Sequence, residues 1–175
     1  VVMLRSEKIK SRILNLEANQ EIELKEIQGF PSGGYLLSQE HVGAIQAAYF
    51  TKRPLLVRGD PGLGKSQLAH AIACFLDWGL IPTVIHYNSN IEDLLYSQDH
   101  LERLYHANQT KLDGVNDTTA KLAPEKYIRP GKIWQAIAPS TLSDYCGDKP
   151  HDKQGSVLLI DEIDKADSSL PNALL

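Results

Sequence analysis

Residues 55–72 read LLVRGDPGLGKSQLAHAI: an apolar run, a turn crowded with Gly59, Pro61, Gly62 and Gly64, then a stretch with helical spacing. The eight residues from Gly59 to Ser66 match G-x-x-x-x-G-K-[ST], a phosphate-binding pattern. Glycines there admit backbone conformations closed to other residues and keep side chains out of the concavity, so that successive N–H groups can face phosphate oxygens. A helix beginning near Lys65 adds a positive end of about half an elementary charge. Lys65 is then expected to reach the β and γ phosphates, and the Ser66 hydroxyl to ligate Mg²⁺. A glycine-rich turn can precede a helix without binding anything. The motif carries meaning only between a strand and a helix, which is where the flanking patterns put it.

Working outward, three short apolar runs suit strands of a parallel sheet buried on both faces: PLLV (54–57), TVIHY (83–87) and VLLI (157–160). Between the first two, Leu68, Ile72 and Leu76, with Ala69 and Ala73, form a helical stripe that Gly79 can terminate. Strand, glycine loop, helix and strand predict a βαβ unit, hence an α/β fold with a parallel sheet flanked by helices. Upstream, GFPSGGY (29–35) is a loop by composition, and Ser38 offers an N-cap for a helix carrying Val42, Ile45 and Ala48 or Tyr49 on one side. Residues 1–28 space Ile9, Ile13 and Leu16 for one helical face and read as an amphipathic segment or linker, with the domain running over 29–175. Downstream, Ser89 and Glu92 have capping-box spacing, residues 107–131 are polar and irregular like a functional insertion or a mobile loop, and KIWQAIA (132–138) starts a helix. Residues 143–155 read as a surface loop.

The bulk properties bound the rest. A chain of 175 residues, 42% hydrophobic and 23% charged, has the make-up of one globular domain with a single core rather than a disordered tail. Its apolar runs are a few residues long, so no membrane span is visible, and a cytoplasmic location is expected. A net charge of −4 supplies no global field for attracting nucleic acid. Cys74 falls inside the helical stripe, where a reduced, structural cysteine is expected instead of a disulfide to Cys146. The opening on Val1 and the helix-like close LPNALL are expected of a piece of a longer protein.

A second signal is SVLLIDEIDKAD (156–167), four apolar residues followed by Asp161 and Glu162. A carboxylate at the exit of a buried strand can hold Mg²⁺ through water, which suits Asp161. Glu162, one residue on, can orient and deprotonate an attacking water. Asp164 and Asp167 read as loop and cap residues.

GDPGLGKS and VLLIDE together, as Walker A and Walker B, resemble the core of an AAA+ ATPase. LLSQEHVGAIQAAYFTKRPLLVRGDPGLGKSQLAHAIA, EDLLYSQDHLERLYHA and LLIDEIDKADSSLPNALL are similar to the MoxR-like branch, over residues 35–175. The resemblance implies a P-loop nucleotide-binding fold in which Gly59, Asp60, Pro61, Gly62, Leu63, Gly64, Lys65, Ser66 and Gln67 contact ATP. Ser66 and Asp161 would support Mg²⁺, and Lys65 and Glu162 would be catalytic. It also implies a ring of subunits that remodels a protein partner, with an arginine finger supplied in trans. In that family the sensor residues, arginine finger and helical lid follow the second Walker motif, so this chain, ending at Leu175, is expected to bind ATP better than it hydrolyses it. Asp60 stands where many relatives have proline, at a position expected to face outward.

Other signals point elsewhere and are weaker. TKLD (110–113) and DYCG (144–147) imitate GTPase motifs in the wrong order. DEID also spells a helicase box, but residues 91–117 carry six acids against two basic residues, which argues against a strand-tracking groove. His100, His106 and His151 lack metal-ligand spacing with either cysteine. Trp134 and Tyr127, beside Arg129, could face a partner, with a core role the favoured reading for Trp134. A nucleotide-gated switch with slow turnover is the alternative to a remodelling motor.

Overall fold

The computed structural model describes residues 7–27, 29–112, 122–145, 153 and 155–166. In chain order the elements are α1 (Glu7–Leu14), β1 (Glu21–Leu24), β2 (Gly33–Leu36), α2 (Gln39–Thr51), α3 (Lys65–Leu76), β3 (Gly79–Val84), α4 (Ile91–Leu95), β4 (Tyr96–Gln98), α5 (His100–Leu112), β5 (Ile128–Pro130), α6 (Lys132–Ile137), α7 (Leu142–Tyr145) and β6 (Ser156–Asp161). Length alone predicts one core, but the chain divides into two compact units: residues 1–89 with 152–175, and residues 90–151.

In the first unit, β3 and β6 pair in parallel, Gly79 opposite Ser156 through Val84 opposite Asp161. Helix α3 lies against this pair and against β1, burying Leu68, Ala71, Ile72, Ala73 and Leu76. Burial of that stripe, as its spacing predicts, is what holds the helix down. The helix stops earlier than Gly79: Asp77 takes the left-handed conformation (φ 56°) and caps it, and Gly79 opens β3. The second strand therefore begins four residues before TVIHY and ends at Val84, leaving Ile85, His86 and Tyr87 outside it.

The segment ahead of Gly29 contributes to the same core. Ile9, Ile13, Leu16, Ile22 and Leu24 cluster with Leu68, Ile72 and Trp78. Arg12 lies over the Phe75 ring and donates to the Leu76 carbonyl, and the Gln46 amide donates to the Ile13 carbonyl. β1 pairs antiparallel with β2, which leads into α2. Ser38 caps α2 as its position predicts, its hydroxyl accepting from the His41 N–H while His41 Nδ1 accepts from the Ser38 N–H. Val42, Ile45 and Ala48 are the buried face.

PLLV does not form a strand. Strands need a neighbour for their backbone groups, and among the described residues none pairs with 54–57. Leu55 packs against the core, while Leu56 and Val57 remain exposed. The βαβ unit is accordingly observed without its first strand, and the parallel sheet has two strands among the described residues. The α/β class stands, with helices beside a small parallel sheet.

In the second unit, Asn90, not Ser89, caps α4, accepting from the Asp93 N–H at 2.8 Å. Ser89 instead accepts from the His86 N–H. Of the stretch 107–131, the described residues 107–112 and 122–131 carry more regular structure than their composition suggests: α5 runs to Leu112, and β5 pairs antiparallel with β4. Tyr127 is buried and its hydroxyl meets His106 Nδ1 at 3.0 Å, while Arg129 is ion-paired with Asp99 and Glu102. The burial of Tyr127 removes it from the partner-facing surface the sequence suggested. Trp134 is half-buried, donating from Nε1 to the Thr141 hydroxyl. Residues 113–121, Cys146, His151, Asp167 and the LPNALL close lie outside the described residues.

Candidate functional site

Arg53 to Gly64 has no helix or strand, and the chain turns into α3 at Lys65, where the motif predicts it. Two glycines carry the turn: Gly62 at φ 82° and Gly64 at φ 75°, conformations costly for any residue with a Cβ. Gly64 occupies the cap position of α3 with no side chain to satisfy the first N–H groups. A helix start leaves such groups in need of an acceptor, and a phosphate supplies one. Asp60, Pro61 and Leu63 are exposed, as expected of residues around the mouth of such a loop, and Gln67 is exposed beyond it.

Lys65 folds back over this loop. Its Nζ donates to the carbonyls of Gly59 at 2.9 Å and Asp60 at 2.7 Å. These two neutral acceptors hold an ammonium that an anionic phosphate would attract more strongly.

Ser66 and Asp161 meet directly. The Ser66 hydroxyl donates to Asp161 Oδ2 at 2.6 Å, joining residues 95 positions apart through the packing of α3 on β6. The other carboxylate oxygen, Oδ1, accepts from the Glu162 N–H at 3.0 Å. A hydroxyl and a carboxylate side by side are hard oxygen donors of the kind Mg²⁺ takes while keeping most of its waters. Among the described residues no cluster of three or more His, Cys, Asp or Glu could hold a metal, so a cation here would depend on water and phosphate oxygens for the remaining positions.

Glu162 has a left-handed backbone (φ 58°, ψ 35°), a strained conformation for glutamate. It starts a 3-10 turn, Ile163–Lys165, closed by the Lys165 N–H on the Glu162 carbonyl at 2.9 Å. The Lys165 ammonium donates to Glu162 Oε2 at 2.6 Å. That hydrogen bond, then the glutamate's charge, raises the Lys165 pKa above its ordinary value. Asp164 lies in the same exposed turn, as its loop reading predicts.

Two residues, Tyr35 beside the loop and His70 farther along α3, were not singled out by the sequence. Tyr35 on β2 lies where a Cβ on Gly64 would touch its ring at 3.4 Å, and burial raises the Tyr35 pKa. His70, fully buried on α3, reaches the Lys25 carbonyl from Nε2 at 2.8 Å. A carbonyl only accepts, so Nε2 carries the hydrogen and Nδ1 is a bare acceptor with no partner among the described residues. Its place in an apolar helical stripe was the available signal.

A phosphate loop running into a helix, with an acidic strand end bonded to the helix's second residue, defines a P-loop nucleotide-binding protein. The family model for the AAA domain, dynein-related subfamily, matches residues 54–175, and the chain belongs to that family of nucleotide-binding ATPases. No curated protein and no solved structure matches the chain. Among the described residues no helix is long and apolar enough to cross a membrane.

Proposed function

We propose that the chain is the ATP-binding and ATP-hydrolysing core of a MoxR-like AAA+ protein that works in an oligomeric ring to remodel a protein partner. The observation that carries this reading is the Ser66–Asp161 hydrogen bond, which brings the two motifs to one place. The loop from Gly59 to Gln67 and the start of α3 would hold the phosphates, and Lys65 would leave the Gly59 and Asp60 carbonyls to meet the β and γ oxygens. Ser66 directly, and Asp161 through water, would hold Mg²⁺, which when bound neutralises charge on those oxygens. Glu162 would take the proton of the attacking water on its carboxylate. An arginine from a neighbouring subunit would complete the site, a contribution worth about 10³ to 10⁵ in rate, so the chain alone is a slow enzyme. Residues 29–175 would form the AAA core, with residues 1–28 as a segment packed onto it through Ile9, Ile13 and Leu16.

Single-turnover hydrolysis of ATP by the chain and by Glu162→Gln tests the assignment. Loss of a general base should slow the chemical step by about 10²-fold or more while nucleotide still binds. Equal rates would remove Glu162 from the mechanism.

A further inference from the structure

The turn after Glu162 places a second charged residue on the site. A 3-10 turn has about three residues per turn, so side chains at i and i+3 eclipse. Here Glu162 is the left-handed cap of the turn and not a residue within it, and that backbone brings its side chain to Lys165, three positions on. Asp164 is adjacent in sequence, yet the ammonium bonds Glu162 Oε2. The Glu162 N–H is in turn bonded to Asp161, whose other oxygen meets Ser66. Lys165 thus closes a chain of contacts that begins at the first turn of α3, and Oε1 of Glu162 has no protein partner among the described residues.

We propose that Lys165 is a positioning residue for Glu162: it fixes Oε2, leaves Oε1 to a water, and compensates the carboxylate's charge so that a triphosphate can approach it. The proposal rests on the nucleotide reading given above. Its consequence is a preference: without the ammonium, an uncompensated carboxylate stands about a water's width from where the γ-phosphate would lie, and a diphosphate, whose charge ends farther away, feels it much less.

The test is calorimetric binding of Mg²⁺ with β,γ-imido-ATP and with ADP to the full chain. Lys165→Ala should weaken the triphosphate about fivefold and leave ADP within twofold. Lys165→Arg, which keeps the charge and the donor, should bind like wild type. In Lys165→Ala/Glu162→Gln the triphosphate affinity should return, because the uncompensated charge is gone. Equal loss for both nucleotides, no loss for either, or a loss that persists in the double variant would each overturn the proposal. Wild-type chain that binds neither nucleotide would overturn the nucleotide reading beneath it.

Discussion

The Ser66 hydroxyl donates to Asp161 Oδ2 at 2.6 Å, so the residue proposed to ligate the cation and the carboxylate proposed to support it are already in contact. If that pair forms the cation site, Ser66→Ala should remove the Mg²⁺ dependence of nucleotide binding while leaving the cation-free affinity nearly unchanged. Titrating ATP with and without Mg²⁺ measures both. A variant with full Mg²⁺ dependence would place the cation elsewhere.

The N-terminal segment is part of the fold of the first unit. Ile13 is fully buried and clusters with residues of α2 and α3. Ile13→Ala should cost about 2–5 kcal/mol in chemical denaturation, as truncation of a buried aliphatic does. A cost below about 0.5 kcal/mol, the range of surface substitutions, would show the segment to be peripheral.

Two glycines should respond differently to one added methyl group. At Gly131 a Cβ would overlap the backbone carbonyls of Asp93 and Leu94, which cannot move without disturbing α4. At Gly34 it would meet the carboxylate end of Glu21, a side chain free to swing away. Gly131→Ala should therefore destabilise by about 1–3 kcal/mol or more, and Gly34→Ala by clearly less. Thermal melts of both variants decide it, and equal shifts would contradict the packing described.

Acid should unmask the Asp77–Lys153 pair. The hydrogen bond from Lys153, then its charge, holds the Asp77 carboxyl below the usual aspartate range. A depressed folded-state pKa means the contribution is present above the unfolded value of 3.8 and is lost as pH falls through the lower folded value. Asp77→Asn tolerates the same left-handed backbone and removes the charge. The stability gap between the two proteins at low salt should be open at neutral pH and close below 3.8. A gap independent of pH would show that the charge contributes nothing.

The site was more legible in the sequence than the fold. Gly62, Gly64, Lys65 and Ser66 follow a local pattern whose geometry is dictated by backbone freedom and a helix start, so spacing alone located them. Strand pairing is a long-range property, and PLLV shows the cost: its composition is that of a strand, but no described neighbour pairs with it. The cap of α4 shows the same limit at short range, since Ser89 and Asn90 are both good caps and only the backbone chose Asn90. Tyr127 illustrates a third kind of miss: beside a charged residue it looked exposed, yet its ring is buried and its hydroxyl bonds His106. Lys165 was hidden in an acidic run, DEIDKAD, where pairing with Glu162 depends on a left-handed residue that spacing does not reveal.

The most direct test of the central claim is a thermal-shift titration of the chain with Mg²⁺ and ATP or ADP, beside Lys65→Ala. Lys65 bonds two loop carbonyls and is otherwise half-exposed, so its removal should spare the fold. Nucleotide at a hundred times its dissociation constant should stabilise the wild-type chain by about 2.7 kcal/mol, a clear rise in melting temperature. The account predicts that rise with both adenine nucleotides and its loss in Lys65→Ala. A variant stabilised as much as wild type, or a wild-type chain stabilised by neither, would contradict a phosphate site at Gly59–Ser66.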